Sequence, residues 1–187
     1  MKEIDLLEDI RKGDLPSFEM LYETYYQPLC NFAYLYLNDR EVTRDVVSDF
    51  FANLWKNRRR IKINQSIKSY LYRSTRNAVI SHLRKRKVEL TEFDEEMIHT
   101  SKSISPETIL LKKEFREALE QVMMELPKKS GLVFRMKRVD GLSYREIAQV
   151  LDISEKTVEN HITIAVKKLK EAVEKHPQLA DYLCQAG

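Results

Sequence analysis

Apolar residues recur every three or four positions along most of the chain, which is the spacing of amphipathic helices. Segments in which apolar and polar residues alternate strictly, as in strands, are absent. The pattern therefore predicts an all-α protein with two small helical domains. The N-terminal domain spans residues 1–87 and the C-terminal domain residues 106–187. Residues 88–105 between them have weak periodicity and are predicted to form a flexible linker.

Glycine, proline and capping residues divide the N-terminal domain into helices. Gly13 is predicted to end a first helix, and Pro16 suits the first turn of the next. Pro28 is expected to interrupt that helix and start a new one, because proline lacks the N–H of a helix interior. A further helix is predicted over residues 41–56, and Ser66 is placed to cap the helix that follows.

The C-terminal domain contains a predicted helix-turn-helix between residues 141 and 170. Ser143 and Glu146 have the spacing of a capping box, and Ser154 is placed to cap the second helix. Asp152 stands at the turn, where it must tolerate a left-handed backbone. The second helix is expected to bury one stripe of apolar residues: Val158, Ile162, Ala165 and Leu169. The alternative is a plain helical hairpin in a bundle.

Charge is distributed in blocks, although the net charge of the 187 residues is only +3. Residues 1–55 contain 5 basic and 11 acidic side chains, whereas residues 56–87 contain 12 basic side chains and no acid. Such blocks suggest separate surfaces for separate partners. The two cysteines, Cys30 and Cys184, imply no disulfide framework. Because no signal peptide or long apolar run is found, the protein is expected to be cytoplasmic, without membrane insertion.

The basic stretch KSYLYRSTRNAVISHLRKRK, residues 68–87, has three possible interpretations. A membrane-surface helix needs a stronger apolar face, and a solvated face normally includes acids. Phosphate binding is therefore favoured. Tyr70 and Tyr72 are candidates to stack on unpaired bases, and Asn77 to contact a base edge. The alternative is that the tyrosines are core residues and the asparagine a cap.

The preceding helix brings Asp45 and Asp49 close to Phe50, Leu54 and Trp55. Exposed aspartates beside apolar residues suit a protein partner with a basic surface. Some of the apolar side chains must be core, and Trp55 is expected to be among them.

Together these segments resemble a bacterial RNA polymerase sigma factor of the extracytoplasmic-function (ECF) group. FEMLYETYYQPLCNFAYLYL and RDVVSDFFANLW resemble the first helices of that family's N-terminal domain, and SYLYRSTRNAVISHLRKRK resembles its promoter-melting helix. LPKKSGLVFRMKRVDGLSYREIAQVLDISEKTVENHI resembles its C-terminal DNA-reading domain. The resemblance implies binding to core RNA polymerase and promoter DNA, and control by an anti-sigma factor.

The resemblance also implies site residues. The surface for the polymerase clamp would comprise Asp45, Asp49, Phe50, Phe51 and Leu54. Recognition of the −10 promoter element would involve Ile63, Lys68, Tyr70, Arg73, Arg76, Asn77, Ser81 and Arg84, and residues 56–65 would accept a flipped base. The −35 element would be approached by Ser154, Lys156, Thr157, Glu159, Asn160, Thr163 and Lys167.

Two other classes of protein compete with this interpretation. An autonomous regulator that binds duplex DNA as a dimer would share residues 141–170 but would not need the acidic surface. An enzyme is not supported, because there is no glycine-rich phosphate loop and no nucleophile–base arrangement. The histidines are scattered without metal-ligand spacing, so no metal or other cofactor is expected.

Overall fold

The structure, a computed structural model, describes residues 3–61, 63, 66–87 and 126–175. Within these ranges the secondary structure is entirely helical, which confirms the predicted fold class. The N-terminal unit contains α1 (Glu3–Lys12), α2 (Leu15–Leu37), α3 (Arg40–Lys56), a short 3₁₀ turn (Arg58–Arg60) and α4 (Ile67–Lys87). The C-terminal unit contains α5 (Lys128–Arg138), α6 (Tyr144–Leu151) and α7 (Glu155–Lys175). The predicted linker lies outside the described residues, and the domain boundaries stay predictions.

No helix in the described part of the chain combines the length and apolar character needed to cross a membrane.

Local signals set the end of α1 and the start of α2 as predicted. Gly13 has φ +97°, a backbone region that suits glycine, and its N–H donates to the carbonyls of Asp9 and Ile10 at 3.1 and 3.0 Å. Asp14 caps α2 by accepting the Ser17 N–H at 2.9 Å, and hydrogen bonding from Ser17 lowers the pKa of Asp14. Pro16 lies in the first turn of α2.

The prediction that Pro28 starts a new helix was wrong, because α2 runs without a break from Leu15 to Leu37. An interior proline costs about 3 kcal/mol in a helix. Leu21 precedes Pro28, Leu29 and Phe32 follow it, and all three are at most 2% exposed. Full burial of such side chains stabilises by roughly 1.5–3 kcal/mol each, so their common burial outweighs the missing hydrogen bond.

Helices α2, α3 and α4 pack around one core in the N-terminal unit. Its fully buried centre comprises Leu29, Phe32, Ala33, Val47 and Val79. Ser66 caps α4 as predicted, accepting the Ser69 N–H at 3.1 Å. Asp39 caps α3 by accepting the N–H groups of Glu41 and Val42 at 2.9 and 3.1 Å, so α3 begins at Arg40, one residue before the predicted start.

The predicted helix-turn-helix is formed by α6 and α7. Ser143 and Glu146 make the capping box, Asp152 adopts φ +58° and ψ +47°, and Ser154 accepts the Thr157 N–H at 3.0 Å. Ile147 and Val158 are fully buried between the elements. Three members of the predicted α7 stripe are buried, namely Val158, Ala165 and Leu169. The fourth, Ile162, is half exposed, which corrects that part of the prediction.

Candidate nucleic-acid and polymerase interfaces

Four of the predicted −10 residues form one exposed stripe along α4. Arg73, Asn77, Ser81 and Arg84 are separated by four, four and three residues, and all four are exposed. This spacing keeps side chains on one side of a helix. The stripe, called here the α4 stripe, extends about 16 Å at 1.5 Å per residue. It presents two guanidinium groups, one amide and one hydroxyl without an acidic residue, which is a chemistry suited to phosphates and base edges.

Arg76 is tied to the protein core. It hydrogen-bonds the hydroxyl of Tyr36, which is 9% exposed. Burial raises the pKa of Tyr36 to about 12, while the nearby Arg76 guanidinium opposes that increase. Arg76 therefore holds α4 against α2 and has less freedom than Arg73 to follow a DNA backbone.

The two tyrosines of the basic stretch have different environments. Tyr72 is 1% exposed and packs edge-to-face on Phe32, with ring centroids 5.1 Å apart. Tyr72 is therefore a core residue, as the alternative interpretation predicted, and it cannot stack on a base in this conformation. Tyr70 is half buried, as are Lys68 and Ile63. Lys68 and Tyr70 lie in the first turn of α4, before the α4 stripe begins at Arg73.

Contacts of Arg58 fix the start of the loop that follows α3. Arg58 donates from Nη1 to the Trp55 carbonyl at 2.9 Å, and its guanidinium lies 4.2 Å from the centroid of the Trp55 ring. Trp55 also packs on Phe18 at 4.9 Å and is half buried rather than fully core. Ile61 is 8% exposed, whereas Arg59 and Arg60 face solvent. Lys62, Asn64 and Gln65, which belong to the predicted base-accepting segment, lie outside the described residues.

The predicted polymerase surface divides into exposed and buried members. Asp45 and Asp49 are exposed and four residues apart, so they form an acidic stripe on α3. Phe50, Phe51 and Leu54 are only 9%, 2% and 6% exposed. Burial places these three side chains in the core that supports α3, so the exposed members of the predicted surface are the two aspartates.

Two tyrosines of α2, missed by the sequence reasoning, lie beside the acidic stripe. Tyr22 and Tyr26 stack at 4.7 Å, and the Tyr26 hydroxyl lies 3.4 Å from the hydroxyl of Ser48, which stands between the two aspartates. Tyr22 also contacts the buried ring of Phe51 at 4.9 Å. Their four-residue spacing is a signal for a shared helix face, but only packing shows which helix they adjoin.

Most of the predicted −35 residues lie in the N-terminal half of α7 on its exposed side, with Ser154 just before the helix and Lys167 just beyond its middle. Lys156, Glu159, Asn160, Thr163 and Lys167 are exposed, as is the cap Ser154, whereas Thr157 is half buried. Such a row at the start of the second helix is the part of a helix-turn-helix that enters a major groove.

Several of these side chains already have intramolecular partners. Lys156 pairs with Glu159 at 2.8 Å, and the Thr163 hydroxyl donates to the Glu159 carbonyl at 2.9 Å. The hydroxyls of Ser154 and Thr157 lie 2.8 Å apart at the helix start. Within the described part of the chain, Asn160 and Lys167 have no side-chain hydrogen bond, so they are the members of the set most available for DNA.

His161 holds α7 against α5. Its Nδ1 lies 3.0 Å from the Ser130 hydroxyl, and Ser130 is 1% exposed. Burial, together with the nearby Lys129 cation, lowers the pKa of His161. Across the described residues, no group of three or more His, Cys, Asp or Glu side chains is arranged to hold a metal ion.

Comparison with known families places both units in one family. Residues 21–89 match the family described as sigma-70 region 2, and residues 116–169 match sigma-70, region 4. The chain is 25% identical over 166 residues to the ECF RNA polymerase sigma factor SigW of Bacillus subtilis, covering 83% of this chain and 88% of that protein. It is an ECF sigma factor.

Other relatives of this sigma factor agree with that assignment. It is 26% identical over 178 residues to the ECF RNA polymerase sigma-E factor of Escherichia coli, covering 90% of this chain and 93% of that protein. The RNA polymerase sigma-H factor of Pseudomonas aeruginosa is also 26% identical over 178 residues, covering 90% of this chain and 92% of that protein.

Two solved structures have the same fold as this sigma factor. CnrH in complex with the cytosolic domain of CnrY has a TM-score of 0.62 at 19% identity, covering 93% of this chain and 98% of that one. The sigma factor RpoE in complex with the anti-sigma factor NepR, from Bartonella quintana, has a TM-score of 0.59 at 19% identity, covering 86% of this chain and 98% of that one.

Proposed function

We propose that this ECF sigma factor binds core RNA polymerase, directs it to specific promoters and assists promoter opening during transcription initiation. One observation carries the proposal: the acid-free α4 stripe occurs in the same chain as a helix-turn-helix, in units that match sigma-70 regions 2 and 4. A protein that binds only duplex DNA through its helix-turn-helix would not need the α4 stripe.

The α4 stripe would capture the non-template strand of the −10 element as it unpairs. Arg73 and Arg84 would contact phosphates at its two ends, and Asn77 would contact a base edge near its centre. Half-buried Tyr70 and Lys68 would border the bound strand. The loop that starts at Asn57 would accept the flipped base, because opening a step costs only a few kcal/mol when the extruded base is captured.

The acidic stripe on α3 would dock on a basic surface of the polymerase clamp. Asp45 and Asp49 supply the charge, and the buried Phe50, Phe51 and Leu54 hold the helix that presents it. Electrostatic complementarity of this kind favours association and orients the partner. Tethering to the polymerase raises the effective concentration of the DNA-contacting helices, so each of their contacts can be weak.

The exposed row of α7 would read the −35 element as duplex DNA. Asn160 has the amide that can pair with an adenine edge, and Lys167 lies where it can reach a phosphate. Lys156, Ser154 and Thr157 would contact the backbone near the helix start, where the helix dipole favours an anion. Glu159 and Thr163 complete the row.

The proposed activity requires no catalysis by this chain. The cost of strand separation is offset by base capture and by the polymerase contacts, so neither nucleotide hydrolysis nor a cofactor is needed. The protein would act in the cytoplasm, with promoter DNA and the polymerase. An anti-sigma factor is proposed as a further partner, since both solved structures named above are complexes and one partner is called an anti-sigma factor.

Reconstituted run-off transcription tests the proposal. Purified sigma factor and core RNA polymerase would be incubated with a fragment library of the source genome at low salt. Discrete transcripts that depend on both proteins are expected. Failure of core polymerase to bind the purified chain would refute the proposal. A dimer that binds duplex fragments without polymerase would instead support the autonomous regulator.

A further inference from the structure

Helix α1 contacts the base-accepting loop, although it lies outside both ranges matched by the sigma-70 families. The first of those ranges begins at residue 21, whereas α1 spans Glu3–Lys12. Ile10 anchors α1 in the unit at 1% exposure. The helix packs on α2 and on the 3₁₀ turn of residues 58–60. It is therefore placed to influence the loop that follows α3.

Arg11 makes a direct connection from α1 to this loop. Its Nε donates to the main-chain carbonyl of Ile61 at 3.0 Å, across 50 residues of sequence. The Arg11 side chain is half buried, and a hydrogen bond from a charged donor is stronger than one between neutral groups. The bond fixes the residue at which the chain leaves the 3₁₀ turn.

Arg58 makes a second connection at the opposite end of the same turn. A Cβ built on Gly13 would lie 3.5 Å from Arg58 Nη2, so the guanidinium packs directly against the α1–α2 junction. The same guanidinium lies over the Trp55 ring. The turn therefore contacts both the α1–α2 junction and the end of α3.

We propose that α1 pre-positions the start of the base-accepting loop, residues 57–61, with Arg11 and Arg58 as positioning residues for base capture. The inference rests on the proposed function, in which this loop receives a base flipped out of the −10 element. A loop that must be ordered on binding loses conformational entropy, and this loss lowers the affinity. Ordering residues 57–61 in advance removes this cost from the step in which the base is captured.

Binding of synthetic forked promoter DNA to the polymerase–sigma complex isolates this step. The fork carries a duplex −35 region and a single-stranded non-template −10 region. In a matched series, each unpaired base in turn is replaced by an abasic site. The ratio of Kd values for abasic and intact forks measures how much the captured base contributes. A contact to phosphate leaves this ratio unchanged.

The wild-type ratio is expected to be about tenfold at one position, or about 1.4 kcal/mol. Arg11→Met keeps a good helix former and removes the donor, and should reduce the ratio to about twofold. Lys12→Met is the matched control, because Lys12 is also a cation of α1 but its side chain is 74% exposed. Its ratio should stay near tenfold. Arg11→Lys retains a charged donor and should recover part of the ratio.

An unchanged ratio in Arg11→Met would overturn the inference. This includes the case in which intact and abasic forks are weakened equally, which would indicate a phosphate contact. Arg58→Met tests the second connection, with the same decrease of the ratio expected. Urea unfolding followed by Trp55 fluorescence shows whether each variant is folded. Absence of polymerase binding by the wild-type chain would instead refute the proposed function, and the inference with it.

Discussion

Helices α4 and α7 are each 21 residues long, and each is the main candidate DNA contact of its unit, yet their surfaces differ. Helix α4 contains no acid. Helix α7 begins with Glu155 and pairs Lys156 with Glu159 and Lys168 with Glu171, at 2.8 and 3.1 Å. The first surface attracts phosphates with little competition, whereas the second neutralises part of its own charge. This contrast suits an unpaired strand held by charge and a duplex read by shape and hydrogen bonds.

The buried sides of the two helices differ as well. Helix α4 buries the large ring of Tyr72 and the polar side chains of Ser69 and Thr75. Helix α7 buries small and aliphatic residues, among them Val158, Ala165 and Ala172. A narrow aliphatic stripe lets α7 approach α5 closely while its other side stays free for a groove. The large ring and the polar side chains that α4 buries give this helix a broader contact with its core. This contact holds the exposed stripe in place.

Asp49→Lys should have the largest effect, because it weakens the polymerase binding on which the DNA contacts of both helices depend. We expect the affinity for core polymerase to fall about 100-fold, or about 2.7 kcal/mol, through repulsion from a basic partner surface. Asp49 is exposed, so the unit should stay folded. Fluorescence anisotropy with labelled sigma factor measures the change. Glu174→Lys, an equal charge reversal at an exposed site on α7, is the control. Unchanged association in Asp49→Lys would remove the docking assignment.

Alkaline pH should test how α4 is attached to its core. The folded pKa of Tyr36 is about 12, above the usual 10.0, so the folded chain keeps a proton that the unfolded chain releases. Stability from this group is intact below pH 10 and is lost as pH rises from 10 to 12, by on the order of 2 kcal/mol.

Tyr36→Phe should lack this component of the pH dependence. Trp55 is the only tryptophan, so urea unfolding followed by its fluorescence reports on the N-terminal unit. Other groups titrate in both proteins, so their effects cancel when the two free energies of unfolding are subtracted. Parallel stability curves for wild type and Tyr36→Phe between pH 9.5 and 11.5 would contradict the expected role of this buried hydroxyl.

Asn77→Ala and Asn160→Ala should separate the roles of the two helices. Asn77→Ala is expected to reduce promoter opening about tenfold while polymerase binding changes less than about twofold, because Asn77 would contact a base only after unpairing. Permanganate reactivity of unpaired thymines measures opening. Asn160→Ala should instead weaken duplex binding by roughly 1–3 kcal/mol and leave the opening step unchanged. Equal loss of opening and polymerase binding in Asn77→Ala would argue against its assignment.

Salt dependence should show the smallest difference between the helices. Removing one cation that binds a phosphate lowers the slope of log K against log salt by about 0.7 for single strands and 0.9 for duplex. Arg73→Met should lower the slope on forked DNA by nearly that amount. Lys156→Met should lower it by less on duplex DNA, since Glu159 already pairs with this cation. Equal decreases would show that the Lys156–Glu159 ion pair opens when DNA binds. The difference in surface charge between α4 and α7 would then not affect DNA binding.

Local interactions account for the features that were predicted correctly. Gly13, Ser66, Ser143, Asp152 and Ser154 act on backbone groups a few residues away, so the neighbouring sequence is enough to identify them. The helix type follows from periodicity in the same way. Pro28 shows the limit of local rules, because burial of the residues on both sides overrode its preference to end a helix.

The candidate site was predictable as a set of helices but not as a set of side-chain environments. The amino-acid sequence by itself determined the all-α class, several helix caps, the acid-free basic helix and the helix-turn-helix, since each depends on spacing along the chain. Only the tertiary structure decided that Tyr72 and Phe51 are core, that Arg76 is bound to Tyr36, and that Arg11 reaches Ile61. These outcomes depend on which helix faces pack together, and packing joins residues such as Arg11 and Ile61, 50 positions apart, that no local pattern relates.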